Sequence, residues 1–472
     1  MPVNRFVRRC TIAAAGALVA MNAAAAPSRS ARETRPAWLP SAVIYGANPE
    51  IFSPTKNLAG VTAQLPRLRS LGITAVWLMP ITPRGKPFEG HPAFESPYCV
   101  HDYESIDPRY GTPDDLKQLV RTAHRLGIKV LLDAVLNHTA WDNPLIRQHP
   151  EFYVHTDGNV HDPKSVSKAF DWADVAQLDY GNHELWTYMH RMLRRWVTEY
   201  DIDGFRFDSA DNPYGSGRKV PAAFWQSLRP QLEAAKPEIL MLGECQDPEL
   251  ATTPFQLDYG WHMDNHFGNG ALDRAILSGN TAGIQSTWES DVRDFPAGIL
   301  HMSMQDNWDF PSRDVNRLGA AGAMLAAVFN FTIDGVPFLY NGMEAGNTTG
   351  TINPHVAIDW SAHPAFPPFY RQLIALRRRN PALQQGSLTW VRNDSPSRLL
   401  TYVRSGGGKE FLIAINVSGS PVTGAVVVPG RGWREVTPVG APGGRSHSLP
   451  PNLTLQAKDF AIFERPLSGR AH

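Results

Sequence analysis

Cysteine is scarce in this chain: three residues among 472, at Cys10, Cys99 and Cys245. So few cannot form the disulfide framework of a small stapled scaffold. Excess charge is lacking as well, since Lys+Arg and Asp+Glu both number 45. That balance gives no basis for a nucleic-acid or anionic-surface partner. After residue 26 no apolar run reaches the length of a membrane span. Internal repeats and low-complexity tracts are missing too. What remains is an ordinary globular composition, 43% apolar and 19% charged, long enough for one large domain and one or two smaller ones.

The N-terminus reads as a targeting segment. Arg5, Arg8 and Arg9 precede an apolar stretch from Thr11 to Met21, followed by the small residues Ala23 to Ala26. This is the layout of a secretory signal peptide cleaved near Ala24–Ala26, so residues 1–26 are set apart from the fold. The mature chain is expected outside the cytoplasm, periplasmic or secreted, and monomeric. Cleavage removes Cys10 and leaves Cys99 and Cys245, expected as two free, half-buried thiols.

From Ala42 onward, strand-like apolar runs alternate with helical patterns. Ala42–Tyr45, Ala75–Met79 and Lys129–Leu136 read as strands, and Leu58–Leu71 as a helix stopped by Gly72. Thr112-Pro-Asp-Asp carries the signature of a helix start. Residues 139–182 hold more chain than one crossover needs and read as an inserted subdomain. A helix over Glu184–Tyr200 follows, then strands at Gly204–Asp208, Ile239–Glu244, Gly298–Gln305 and Val336–Tyr340. Helices are expected over Ala222–Ala235 and Leu318–Phe329. Repeated strand–helix units of this length favour an α/β fold of the (β/α)8 TIM-barrel type over an open sheet. Barrel segments are assigned to 37–138 and 183–385. After Gly386 the pattern becomes short strands between Gly- and Pro-rich turns, so 386–472 is expected to be an antiparallel β-sandwich.

The stretch Gly204-Phe205-Arg206-Phe207-Asp208 organises the rest. Side chains alternate along a strand, so Arg206 and Asp208 share one face and the two phenylalanines the other. A guanidinium beside Asp208 would lower its pKa and keep it ionised, as a carboxylate nucleophile requires. Asp208, Glu244 and Asp306 all fall at C-terminal ends of barrel strands, the rim where catalytic groups of such barrels converge.

Taken together, Asp133-Ala-Val-Leu-Asn-His138, Gly204-Phe-Arg-Phe-Asp208, Gly243-Glu244 and Ser303-Met-Gln-Asp306 resemble the α-amylase-type glycoside hydrolases (glycoside hydrolase family 13). Tyr98 with Asp102-Tyr103, Ile106–Thr112 and Gly335–Tyr340 support the match over roughly residues 40–380. The resemblance implies a retaining glycosidase on α-1,4 or α-1,6 glucosidic bonds of an oligo- or polysaccharide. It assigns Asp208 as nucleophile, Glu244 as acid/base and Asp306 as the third carboxylate. Tyr98, His138, Arg206 and Gln305 would bind substrate, with Tyr98 stacking under the sugar ring. The alternatives are an α-glucan transglycosylase, or a non-catalytic carbohydrate-binding protein on the same fold.

The chain departs from the family pattern at four points. Gln305 stands where the family has a histidine before the last acid, and an amide carries no charge. Asp211-Asn212 stands where typical α-amylases carry a Lys-His pair, and Cys99 where exo-α-glucosidases commonly carry a carboxylate beside the stacking tyrosine. Asn137 matches a frequent calcium ligand, yet its usual acidic partner is Gln177. With a carboxylate lost, no metal ligand set is assigned and calcium stays an open question. No organic cofactor is implied.

Overall fold

The computed structural model describes residues 35–467 except 95, 212–219, 253, 260–269, 311, 350–355, 441–443, 445, 446 and 449. The signal-peptide reading and Asn212 therefore lie outside the described residues.

Eight short strands form a closed parallel barrel: β1 Ile44–Ala47, β2 Ala75–Leu78, β3 Lys129–Val135, β4 Gly204–Asp208, β5 Leu240–Gly243, β6 Leu257–Tyr259, β7 His301–Ser303 and β8 Val336–Tyr340. Each pairs with the next, and β8 closes on β1. Nearly every residue of these strands is buried, because helices cover the outside and side chains fill the inside. The outer face of β4 shows how this works. Phe207 packs on Trp225 of helix Ala222–Ala235 at a ring separation of 4.9 Å and on Phe255 at 5.8 Å. Gly204 begins the strand because a Cβ there would lie 2.4 Å from the carbonyl oxygen of Leu240 on β5.

Local chemistry sets the helix ends. Asn57 accepts from the Gly60 N–H at the start of helix Leu58–Leu71, and Gly72 ends it in the left-handed region at φ 107°. Thr112 and Asp115 form a capping box on helix Pro113–Arg125. Two elements differ from the sequence expectation. The sixth barrel strand is only three residues long, too short to show a periodicity. The helix expected at Leu318 instead runs Asp314–Thr332 with a break at Gly319, whose φ of 71° an L-residue rarely adopts.

Between β3 and β4 the inserted segment carries an antiparallel ribbon of His138–Ala140 against Val175–Gln177. After the barrel come β9 Ser387–Trp390, β10 Leu399–Gly406, β11 Lys409–Asn416, β12 Val422–Ala425, β13 Arg434–Glu435, β14 Asn452–Leu455 and β15 Phe460–Pro466. Five of them form one antiparallel sheet, and β12 and β14 form a two-stranded ribbon. Leu412, Ala461 and Phe463 from the sheet meet Val422, Leu453 and Leu455 from the ribbon in one core, a small sandwich. Cys99 and Cys245 are both free and fully rather than half buried. Among the described residues no helix is long and apolar enough to cross a membrane.

Candidate active site

Strand register brings the polar groups together at the C-terminal rim. Asp133 on β3 lies opposite Arg206 on β4, and Phe207 lies opposite Gly243 on β5, which sets Asp208 beside Glu244. Arg206 is fully buried at the centre. Its Nη1 donates to Asp133 at 2.9 and 3.1 Å and to Asp208 at 3.0 Å, and its Nη2 reaches Glu244 Oε2 at 2.8 Å. Its Nε donates to the Tyr259 hydroxyl of β6 at 3.1 Å. One planar fork thus orients groups from four strands. Glu244 also accepts from the Ser209 main-chain N–H at 2.7 Å.

Tyr98 comes from the loop after β2. Its hydroxyl donates to Asp133 at 3.1 Å, and Trp77 Nε1 donates to the same oxygen at 3.2 Å. The Tyr98 ring is half-buried and lies nearly parallel to Trp308, centroids 6.2 Å apart. Both rings face the Arg206 guanidinium, at 5.6 and 5.4 Å. His138 is buried, within electrostatic reach of Glu244, and burial pushes its imidazole down to about 4, so it is neutral at pH 7.

Asp306 does not join this cluster. It is 0% exposed and pairs with Arg313 Nε at 2.8 Å and with Arg317 Nη1 at 3.9 Å, turned into the protein rather than toward Asp208 and Glu244. The third carboxylate facing Asp208 and Glu244 is Asp309, three residues on. Asp309 keeps an exposed surface toward the cleft, yet it lies deep enough that burial, then the charge of Glu244, raises its carboxyl to about 7. Gln305 does not face substrate either. Its amide donates to Asp314 at 2.8 Å and to the Ala323 carbonyl at 3.2 Å, and its oxygen accepts from Asn330 at 3.1 Å. It is a satisfied core amide behind β7. The residues missed from sequence are therefore Asp309, Trp308, Asp133 and Tyr259. A signal for Asp309 existed in the spacing: Arg313 and Arg317 follow Asp306 closely enough to claim it as a buried partner.

Asp208 also differs from expectation in its electrostatics. Burial and the charge of Glu244 raise its carboxyl well above the usual carboxylate range, and Arg206 pulls the other way without winning. The reason is geometric, because one guanidinium is divided among Asp133, Asp208 and Glu244. Asp133 itself is raised to about 6, chiefly by burial.

The calcium question turns on Gln177. Its amide nitrogen donates to the Asn137 carbonyl at 2.9 Å, to Asn137 Oδ1 at 3.3 Å and to the Leu178 carbonyl at 3.2 Å. An N–H donor sits where these oxygens converge, so the residues do not fit a cation there. Among the described residues no group of three or more His, Cys, Asp or Glu side chains could hold a metal. Cys99 turns away from Tyr98, its thiol donating to the Asp174 carbonyl at 3.1 Å. Asp211 is buried and accepts from the Gln246 N–H at 2.7 Å.

Residues 47–363 match the family model described as "Alpha amylase, catalytic domain". The chain belongs to the α-amylase family. Among curated relatives, a maltogenic alpha-amylase of Bacillus acidopullulyticus is 28% identical over 403 residues, 78% of this chain and 63% of the relative. Alpha-amylase 2 of Dictyoglomus thermophilum is 25% identical over 387 residues, 76% of this chain and 64% of the relative. The matches to these curated relatives thus span less than two thirds of their length. A solved structure, a noncanonic maltogenic alpha-amylase from Thermotoga neapolitana, superposes with a TM-score of 0.77 at 27% identity, covering 91% of this chain and 99% of that one. The structure of an α-amylase from Geobacillus thermoleovorans shares the fold, with a TM-score of 0.74 at 22% identity, covering 91% and 99%.

Proposed function

We propose that this α-amylase-family protein is a retaining glycosidase that cleaves α-glucosidic bonds in maltooligosaccharide-like substrates. The observation that carries this reading is the Arg206-centred cluster at the barrel rim. There Asp208 and Asp309 open to the cleft, with Glu244 held beside Asp208.

In the first step Asp208 attacks the anomeric carbon, and the glycosidic oxygen leaves with the proton of Glu244. In the second, Glu244 takes a proton from water, which displaces Asp208 from the sugar. Asp208 must be ionised to attack, although burial and the charge of Glu244 favour its protonated form. A glycosidic oxygen beside Glu244 accepts the proton that this acid carries as the bond to Asp208 forms. Arg206 then neutralises the Asp208 anion. Asp309 faces the developing positive charge of the oxocarbenium-like state, where a fixed carboxylate stabilises the transition state more than the ground state. Tyr98 offers its ring to the sugar, and neutral His138 offers hydrogen bonds.

The test is product analysis on maltooligosaccharides, with anomeric configuration followed by proton NMR. Wild type should release shorter chains in the α-configuration, while Asp208→Asn and Glu244→Gln should each lose at least ~10³ in rate. Products longer than the input would assign the chain to transglycosylation instead. No change in any α-glucan would remove the glycosidase reading. Export rests on the Arg5-to-Ala26 segment, and N-terminal sequencing of the mature protein from culture medium or periplasm tests it.

A further inference from the structure

Asp306 looks like a catalytic acid in sequence but is sealed inside the protein, and what it touches gives it a different task. Its partner Arg313 is also buried, at 1% exposure, and donates Nη2 to the Asn341 carbonyl at 2.9 Å. Arg313 lies over the Tyr340 ring at 4.9 Å. Asn341 follows β8 and accepts from the Asn48 N–H, just past β1, at 2.7 Å. A second arginine closes the same loop: Arg317 donates to the carbonyls of Ser312 at 2.6 Å and Gln305 at 2.7 Å. The residues on either side of Trp308 and Asp309, Gln305 and Asp306 before them and Ser312 and Arg313 after, are thus pinned and tied across two neighbouring strands.

We infer that Asp306 is a positioning residue: through Arg313 it clamps the β7 loop so that Asp309 and Trp308 face Asp208, Arg206 and Tyr98. This rests on the glycosidase reading and deepens it, because it says what holds the third carboxylate in place. The loop leaves β7 after only three strand residues, and among the described residues its ladder to β8 ends at Ser303. A misplacement of about 1 Å at a transition-state contact costs on the order of 10²-fold in rate. The clamp supplies the rigidity that the strand does not.

The experiment compares Asp306→Asn, the apolar pair Asp306→Val/Arg313→Met, and Asp309→Asn with wild type. The apolar pair guards against misfolding, since replacing a buried ion pair by apolar groups is often neutral for stability. Expected is a fall in kcat of roughly 10- to 100-fold in the first two variants with KM within about threefold. In a Glu244→Gln background both should bind a neutral maltooligosaccharide as tightly as the parent. Both should bind a cationic amino-sugar mimic of the oxocarbenium ion about tenfold more weakly. Asp309→Asn should show the same pattern more strongly. If the apolar pair folds and keeps kcat, or loses both ligands equally, the positioning role is overturned. If wild type neither binds nor cleaves maltooligosaccharide, the glycosidase reading fails and takes this role with it.

Discussion

Arg206 and Asp208 stand two residues apart on one strand face and are joined at 3.0 Å, through the same Nη1 that bonds both oxygens of Asp133. Nη2 of the same group holds Glu244 at 2.8 Å. A lysine ammonium is a single point charge and cannot serve three carboxylates at fixed angles. Arg206→Lys should therefore leave buried carboxylates unpaired, at about 3–5 kcal/mol in unfolding free energy, and drop kcat by at least ~10². Urea unfolding and initial rates on maltooligosaccharides measure both, and a variant within threefold of wild type in rate would refute the shared-fork arrangement.

Asp309 carries a stability cost that its removal should expose. Its carboxyl lies at about 7 in the folded protein, above the usual aspartate value of about 3.9 in an unfolded chain. A raised acid holds its proton longer when folded. Its contribution is complete below the unfolded value and is lost as pH rises through about 7. Asparagine does not ionise and escapes that loss. Asp309→Asn should match wild type in stability at pH 4 and exceed it at pH 8, by about 1–2 kcal/mol once solvent access to the cleft is discounted. Thermal unfolding at the two pH values decides it, and a variant less stable at pH 8 would contradict the raised Asp309 carboxyl.

The barrel was legible because its strands are buried on both faces and its crossovers carry caps such as Asn57 and Thr112. Asp208 and Glu244 were legible for a similar reason: they sit at or directly after strand ends, where alternation still says which way a side chain points. Asp306 and Asp309 lie beyond the end of β7, at Ser303, so period-two reasoning no longer applied. Which acid turns inward is decided by partners that come later in the chain, Arg313 and Arg317, and by the carbonyl of Asn341. The same holds for Gln305, whose partners Asp314, Ala323 and Asn330 belong to the following helix. The raised carboxyl of Asp208 could not be read from its neighbour Arg206 alone, because Asp133 and Glu244 compete for the same guanidinium.

The Gln177 amide makes metal dependence a sharp question. Its nitrogen already satisfies Asn137 and Leu178, so a chelator should leave the melting temperature unchanged to within about 1 °C. Gln177→Asp replaces that donor with a hard oxygen ligand facing the same carbonyls. This variant should be less stable in chelator and should regain stability with millimolar calcium, while wild type responds to neither. A wild-type melting temperature that falls in chelator and recovers with calcium would show that a cation displaces the amide.

His447 offers a pH test far from the cleft. Its ring is 97% removed from solvent and lies between Glu435, 2.7 Å from Nδ1, and Asp459, 3.0 Å from Nε2. It thereby ties β13 to the residue just before β15. Burial alone would lower its pKa, but the hydrogen bonds and charges of Asp459 and Glu435 outweigh that and raise it. A raised histidine gives its full stabilisation below its unfolded value of about 6.5 and loses it as pH climbs through the folded one. His447→Gln should thus cost about 1–3 kcal/mol at pH 6 and less at pH 9, because the charge-dependent part of the stabilisation falls as pH rises. Urea unfolding at pH 6 and pH 9 measures the difference. An equal cost at both would mean that His447 holds the sandwich by packing rather than by charge.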